Sequence, residues 1–204
     1  MITSDFTKSL AIGSPAPDFC LRWTRGGEVR LSDHPGPAVV FFTCNHCPYV
    51  IGWDGRVQAL ATEFAGRVAW FGINANDAAR YPDDSFARMT ERERKGLPYV
   101  YLHDPTQEVA HAWGAQVTPE FFVLDAQHRV AYHGRLDASH SNPAAGGANL
   151  LREALVAVLE GRQPQTAEAS VEGCSVKWLA EPLLPPHPGR FATALLPQRG
   201  EGSE

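Results

Sequence analysis

A chain of 204 residues, 44% hydrophobic and 20% charged, has room for one domain with additions and the composition of an ordinary globular protein. Its net charge of −5, without a long Lys/Arg run, argues against nucleic acid or an anionic membrane as partner. The first ten residues lack the apolar stretch of a signal peptide and no segment is long enough to cross a bilayer, so the expected location is cytoplasmic.

Prolines in Gly13 to Phe19 keep the leading segment extended. Phe19–Trp23 and Val29–Leu31 flank Arg25-Gly26-Gly27-Glu28, which predicts a hairpin with the glycines in its turn and Cys20 in the core. Ala38 to Thr43 is an unbroken apolar run, the pattern of a central strand covered on both faces. Two cysteines follow in Cys44-Asn45-His46-Cys47. After Pro48, Val50, Trp53, Val57, Leu60 and Phe64 recur at helical spacing over 48–65, and Gly66 can stop that helix.

Val68 to Asn74 predicts the parallel neighbour of the first apolar strand, which makes a βαβ unit. The charged run Phe86 to Lys95 predicts a solvated helix. Tyr99 to His103 predicts a short strand, and Asp104-Pro105 a cap for a helix to about Trp113. Phe121–Leu124 and Arg129–His133 predict an antiparallel hairpin, and Leu151, Leu155, Val158 and Leu159 a final amphipathic helix ended by Gly161. The chain therefore divides into a domain over 1–163 and a tail over 164–204. The tail holds five prolines between residues 181 and 198 and is expected to be disordered or laid along the surface.

Four cysteines, at 20, 44, 47 and 174, are too few and too scattered for a secreted disulfide framework. In a reducing compartment a Cys-x-x-Cys beside a βαβ pattern points to redox chemistry or metal binding. Zinc needs two further ligands, and His103 and His111 lack the usual spacing, so no metal is expected. A free cysteine is only a few per cent thiolate at neutral pH, and a helix N-terminus raises that fraction by favouring negative charge. No glycine-rich phosphate loop, Ser/His/Asp order or carboxylate pair stands out, so no cofactor is expected.

Three segments carry a resemblance: Gly13 to Phe19, Cys44 to Cys47 after the apolar strand, and Thr118-Pro119 before the second hairpin. With them the chain resembles the thioredoxin-like fold in its peroxiredoxin-like (AhpC/TSA-like) or TlpA/ResA-like form. That fold is α/β, with a central mixed sheet flanked by helices, here with an N-terminal β-hairpin and an extended C-terminal tail. Cys-Asn-His-Cys-Pro-Tyr-Val with the late Gly-Cys-Ser-Val-Lys-Trp is similar to an uncharacterised peroxiredoxin-like branch.

The resemblance implies a thiol–disulfide oxidoreductase. Cys44 matches its exposed attacking thiol, Cys47 its resolving thiol, and Pro119 its cis proline. Thr118 matches the residue that offers backbone hydrogen bonds to an extended substrate. His46 is expected to tune the thiols, and Asn45 to fill the turn.

The implied partners are a disulfide-containing protein or small molecule and a cellular thiol reductant. Peroxiredoxins carry proline seven residues and Thr or Ser three residues before their peroxidatic cysteine. With Cys47 in that role the positions hold Val40 and Cys44, so peroxide reduction is the alternative rather than the first reading. A non-catalytic redox sensor or binding module is the third. Cys174 is either a plain buried cysteine or a third redox thiol brought back to the pair by the tail. His128, His133 and His140 are expected at the surface.

Overall fold

The leading segment runs extended past Gly13 and meets Arg129 through Pro15, then enters β1 (Cys20–Trp23), which pairs antiparallel with β2 (Glu28–Arg30). The computed structural model describes residues 9–142, 144 and 147–180. The proline-rich stretch expected beyond residue 180 lies outside them. In chain order there follow β3 (Ala38–Phe42), α1 (Pro48–Glu63), β4 (Ala69–Asn74), α2 (Phe86–Glu93), β5 (Val100–His103) and α3 (Glu108–Trp113). The chain then forms β6 (Val117–Thr118), β7 (Glu120–Leu124), β8 (Val130–Gly134), α4 (Leu150–Leu159) and β9 (Cys174–Ser175).

Seven strands make one mixed sheet in the order β2-β1-β5-β4-β3-β7-β8, with β3, β4 and β5 parallel and β7 antiparallel to β3. This is the thioredoxin-like fold that the sequence resembles. Successive side chains on a strand point to opposite faces, and both faces of β3 are covered. Val39 and Phe41 pack with Trp53, Leu60, Met89 and Leu155 from α1, α2 and α4. Val40 and Phe42 pack with Trp113 from α3, Phe19 and Val176. That two-sided burial is why the run over 38–42 shows no polar alternation.

Several expectations are corrected. Cys20 is exposed, because β1 alternates and it is Leu21 that turns into the core. The helix over Phe86–Glu93 is not simply solvated: Met89 and Glu93 are buried, and Glu93 takes Arg25 as its partner. Asp104 does not stand next to the start of α3. The N-cap is Gln107, held in the left-handed region at φ 63°, and the Asp104 carboxylate reaches past it to accept from the Ala110 N–H. His133 is buried on β8.

Residues 166–179 are bound to the rest of the fold. The His133 N–H donates to Ala167 O and the Ala169 N–H to His133 O, so this segment extends the β8 edge. Farther on, Gln107 donates to Lys177 O and accepts from the Leu179 N–H, while Val176 enters the core. Among the described residues no helix is long and apolar enough to cross a membrane.

Candidate active site

β3 delivers the chain to the site. The Thr43 N–H still donates to Ile73 O, and the backbone then turns through Cys44, Asn45 and His46 to Cys47. Cys47 is the N-cap of α1, with extended backbone at φ −68° and ψ 126°, and Pro48 takes the first helical position, where a missing N–H costs nothing. The helix thus opens onto the Cys47 sulfur with its unpaired N–H groups.

The expectation of an exposed Cys44 is corrected. Cys44 is 1% exposed and Cys47 0%, and both pack with Val50, Tyr49 and Cys174. The Cys44 thiol lies 3.4 Å from Thr118 Oγ1, and the Cys47 thiol donates to Thr118 O at 3.1 Å.

Of the three thiols, Cys47 is the one whose surroundings favour the anion. Its thiol is held well below the usual range, first by a hydrogen bond from Cys44, then by the Cys174 thiol and the N–H groups of Val50 and Cys174, against the effect of burial. Cys44 is pushed up because its S–H interacts with the Cys47 sulfur, because it is buried, and because the charge of Asp84 is near. Cys174 is pushed up to about 11, chiefly by burial and then by its bond to Cys47. A thiol whose surroundings favour its anion is the one disposed to act as nucleophile.

Asp84 is buried beneath the turn and fully engaged. Its carboxylate accepts from the Asn45 N–H at 2.7 Å, from Asn76 Nδ2 at 2.8 Å and from Asn74 Nδ2 at 3.4 Å, and it meets His46 Nδ1 at 2.7 Å. The His46 ring lies parallel to Tyr81 with centroids 5.6 Å apart. Ligand atoms of Cys44, His46 and Asp84 all lie within 4.8 Å of one another, a donor set that linear spacing did not reveal. Cys44 lies against Thr118, His46 pairs with Asp84, and Asp84 also accepts from Asn74 and Asn76, so these three atoms fall short of the four protein ligands of a structural zinc site.

Asn45 does more than fill the turn. Its side chain donates to Asp83 O and accepts from the Tyr101 hydroxyl at 2.9 Å. Arg92 reaches in from α2, donating to Cys44 O at 2.7 Å and to Asp54 at 2.6 Å. A cleft of about 460 Å³ lies alongside, lined by Asn45, His46, Ile51, Arg88 and Arg92 among others. Ile51 is a large apolar side chain left 61% exposed at its rim.

Across the thiols the Thr118–Pro119 peptide is cis. Behind it Glu120, fully buried, accepts from the N–H groups of Gln116 and Val117 at 2.7 and 3.0 Å and pairs with His133 Nε2 at 2.7 Å. The edge that Thr118 offers is taken by the chain itself: β9 pairs antiparallel with β6, with Cys174 opposite Thr118 and Ser175 opposite Val117. Gly173 lies so close to the Thr118 peptide that an added Cβ would stand 2.4 Å from its carbonyl oxygen.

The fold therefore brings together Cys44, Cys47, Thr118, Pro119 and Cys174, with His46 adjoining through Asp84. Sequence reasoning missed Asp84, Arg92 and Glu120, and gave Asn45 too small a part. Asp84 and Arg92 lie in polar stretches whose pattern is that of ordinary surface, and only the tertiary arrangement turns them inward. The one available signal was Glu120, an acidic residue opening an otherwise apolar strand.

Two buried thiols at a helix N-terminus, in contact with a cis X–Pro peptide at the edge of a mixed sheet, are the arrangement of the thioredoxin-fold, peroxiredoxin-like redox class. The sequence pattern of the AhpC/TSA family matches residues 12–133. The chain belongs to that family.

Among solved structures it is similar to an uncharacterized conserved protein from Geobacillus kaustophilus, with 38% identity, a TM-score of 0.79, and 84% of this chain and 94% of that one covered. A hypothetical protein from Sinorhizobium meliloti 1021 gives 34% identity and a TM-score of 0.78 over 85% of this chain and 98% of that one. Peroxidoxin BcpB from Mycobacterium tuberculosis gives 25% identity and a TM-score of 0.53, covering 64% of this chain and 88% of that one.

Proposed function

We propose that the protein is a thiol–disulfide oxidoreductase whose Cys44 and Cys47 cycle between dithiol and disulfide. The observation that carries this reading is the pair of buried sulfurs at the start of α1, both against Thr118 beside the cis Pro119, with Cys47 at the helix N-cap where the charged form is favoured. The resemblance implies Cys44 attacking and Cys47 resolving; in this reading the roles are reversed, because Cys47 is the thiol at the N-cap of α1. Cys47 thiolate attacks one sulfur of a substrate disulfide and expels the other as thiolate. Cys44 then loses its proton and attacks Cys47 Sγ, releasing the second substrate thiolate and closing the Cys44–Cys47 disulfide. The substrate gains two electrons, and a cellular thiol reductant returns them to the protein. Arg92 and Asn45 hold the turn, and His46 acts on the thiols through Asp84.

A second reading, reduction of a hydroperoxide by the Cys47 thiolate, is favoured by the family match and by the charge on Cys47. Against it, Val40 and Cys44 stand where that chemistry carries proline and threonine. Turnover of a small disulfide and consumption of hydrogen peroxide, each driven by dithiothreitol, separate the two. Disulfide turnover that falls to background in Cys44→Ser and in Cys47→Ser is the expected result. Peroxide consumption that survives in Cys44→Ser would favour the second reading, and rates unchanged in both variants would remove catalysis at this pair.

A further inference from the structure

The edge of Thr118, where an extended substrate would add as a strand, is filled by residues 173–175 of the same chain. Several independent features fix that occupation. Cys174 is paired with Thr118 and packs on the Cys44, Cys47 and Val50 cluster. Gly173 supplies the close backbone approach that any side chain would prevent. Downstream, the Val176 N–H donates to Gln116 O at 3.0 Å, the Lys177 N–H to Asn76 Oδ1 at 2.9 Å, and the Asp77 N–H to Lys177 O at 2.8 Å. Trp178 stacks on His111 with ring centroids 4.2 Å apart.

We propose that β9 is a built-in occupant of the substrate edge and that Cys174 is a third redox residue, placed where a substrate sulfur would lie and able to exchange with Cys47. The inference rests on the disulfide-exchange reading above and adds to it a self-closed state. Starting from the Cys44–Cys47 disulfide, Cys174 attacks Cys47 Sγ as its thiolate. The Cys47–Cys174 bond forms, the Cys44–Cys47 bond breaks, and Cys44 leaves as a thiolate that takes up the proton Cys174 gave up. One disulfide replaces another, and no electrons enter or leave the protein. The product staples β9 over the edge, whereas in the dithiol state only hydrogen bonds and packing hold it. An extended peptide disulfide must displace β9 to be read along Thr118, while a small disulfide needs only the sulfurs.

The test oxidises the full-length protein with oxidised glutathione over a range of ratios to reduced glutathione, then traps it in acid, alkylates it and maps the linkages by mass spectrometry. Both Cys44–Cys47 and Cys47–Cys174 linkages are expected in the unaltered protein, Cys47–Cys174 alone in Cys44→Ser, and Cys44–Cys47 alone in Cys174→Ser. Gly173→Ala, which lifts β9 from the edge, should lose the Cys47–Cys174 linkage and reduce a disulfide-bearing extended peptide at least about threefold faster, because the competent state is more populated. Formation of Cys44–Cys47 with Cys174 always alkylated, in the unaltered protein as well as in Cys44→Ser, would overturn the proposal and leave the oxidoreductase reading standing. Failure of any linkage to form in the unaltered protein would overturn both.

Discussion

The guanidinium of Arg92, on α2, donates to the carbonyl of Cys44 at 2.7 Å, so a residue 48 positions away fixes the peptide that carries the first thiol. The same group bonds Asp54 on α1 at 2.6 Å, tying the thiol turn to both helices that flank it. Replacing Arg92 by methionine keeps most of the stem and removes both bonds, along with the longer one to Asn45 Oδ1 at 3.4 Å. Loss of hydrogen bonds to a charged group should cost about 1–3 kcal/mol. Urea unfolding of Arg92→Met beside the unaltered protein measures it, and a fall in disulfide turnover larger than the loss of folded protein would tie the clamp to the chemistry.

Asp84 accepts from three donors and pairs with His46 in one buried carboxylate, and its charge is part of what keeps the Cys44 proton in place. Asp84→Asn removes that charge. The Cys44 thiol should then ionise at lower pH, and the alkaline limb of the pH–rate profile for closing the Cys44–Cys47 disulfide should move down. The variant should also lose stability, since an amide NH2 group now faces donors. Stopped-flow measurement of disulfide closure across pH checks the direction, and a limb that stays in place would remove Asp84 from thiol control.

Glu120 is the buried anchor of the strand that presents Thr118, through the Gln116 and Val117 N–H groups and His133. Glu120→Ala strands these partners and the Ser9 hydroxyl that also donates to it, and should cost about 3–5 kcal/mol, the usual penalty for removing one member of a buried pair. A double-mutant cycle with His133→Phe, read by denaturant unfolding, should show coupling between the two positions. Additive effects would mean that the backbone bonds, and not the pair, carry the load.

The thiol cluster makes stability depend on pH in two opposed ways. Cys47 is held down to about 4 from an ordinary 9.0, so its contribution is complete above pH 9.0 and is lost as pH falls through about 4. Between those values the unfolded chain binds the extra proton, and stability rises with pH. Cys44 and Cys174 are raised above 9.0, so their contribution is present below 9.0 and disappears as pH climbs past it. Unfolding free energies of the reduced protein minus those of a Cys44→Ser/Cys47→Ser/Cys174→Ser variant should therefore peak near pH 9. A difference that is flat from pH 4 to 9 would show that Cys47 does not hold the charge.

The parts of this architecture written as apolar period were legible in the sequence. Val39, Phe41 and their neighbours on β3, the spacing of Val50, Trp53 and Val57 on α1, and the order of strands and helices all follow from hydrophobic pattern. The thiol pair and Pro119 were legible through resemblance. What was not legible is polar and non-local. Arg92 and Glu93 belong to a charged run that a solvated helix would carry equally well, and nothing near them in sequence names Cys44 or Arg25 as partner. Cys20 and His133 went the wrong way for a related reason: on a strand, one step in register exchanges core for surface. The tail's path depends on Gln107 and Gly173, whose roles exist only once the distant segments have met.

A strand held in a cleft by its own chain acts as a tethered competitor. Short tethers present their ends at effective concentrations on the order of millimolar. A free peptide making the same backbone contacts with Thr118 as Cys174 and Ser175 do would need a comparable concentration to fill the edge half the time. On the proposed disulfide-exchange reading, the pairing of β6 with β9 would work as an affinity filter by size. Ligands that need the whole edge face a millimolar-scale handicap, and those that need only a sulfur do not.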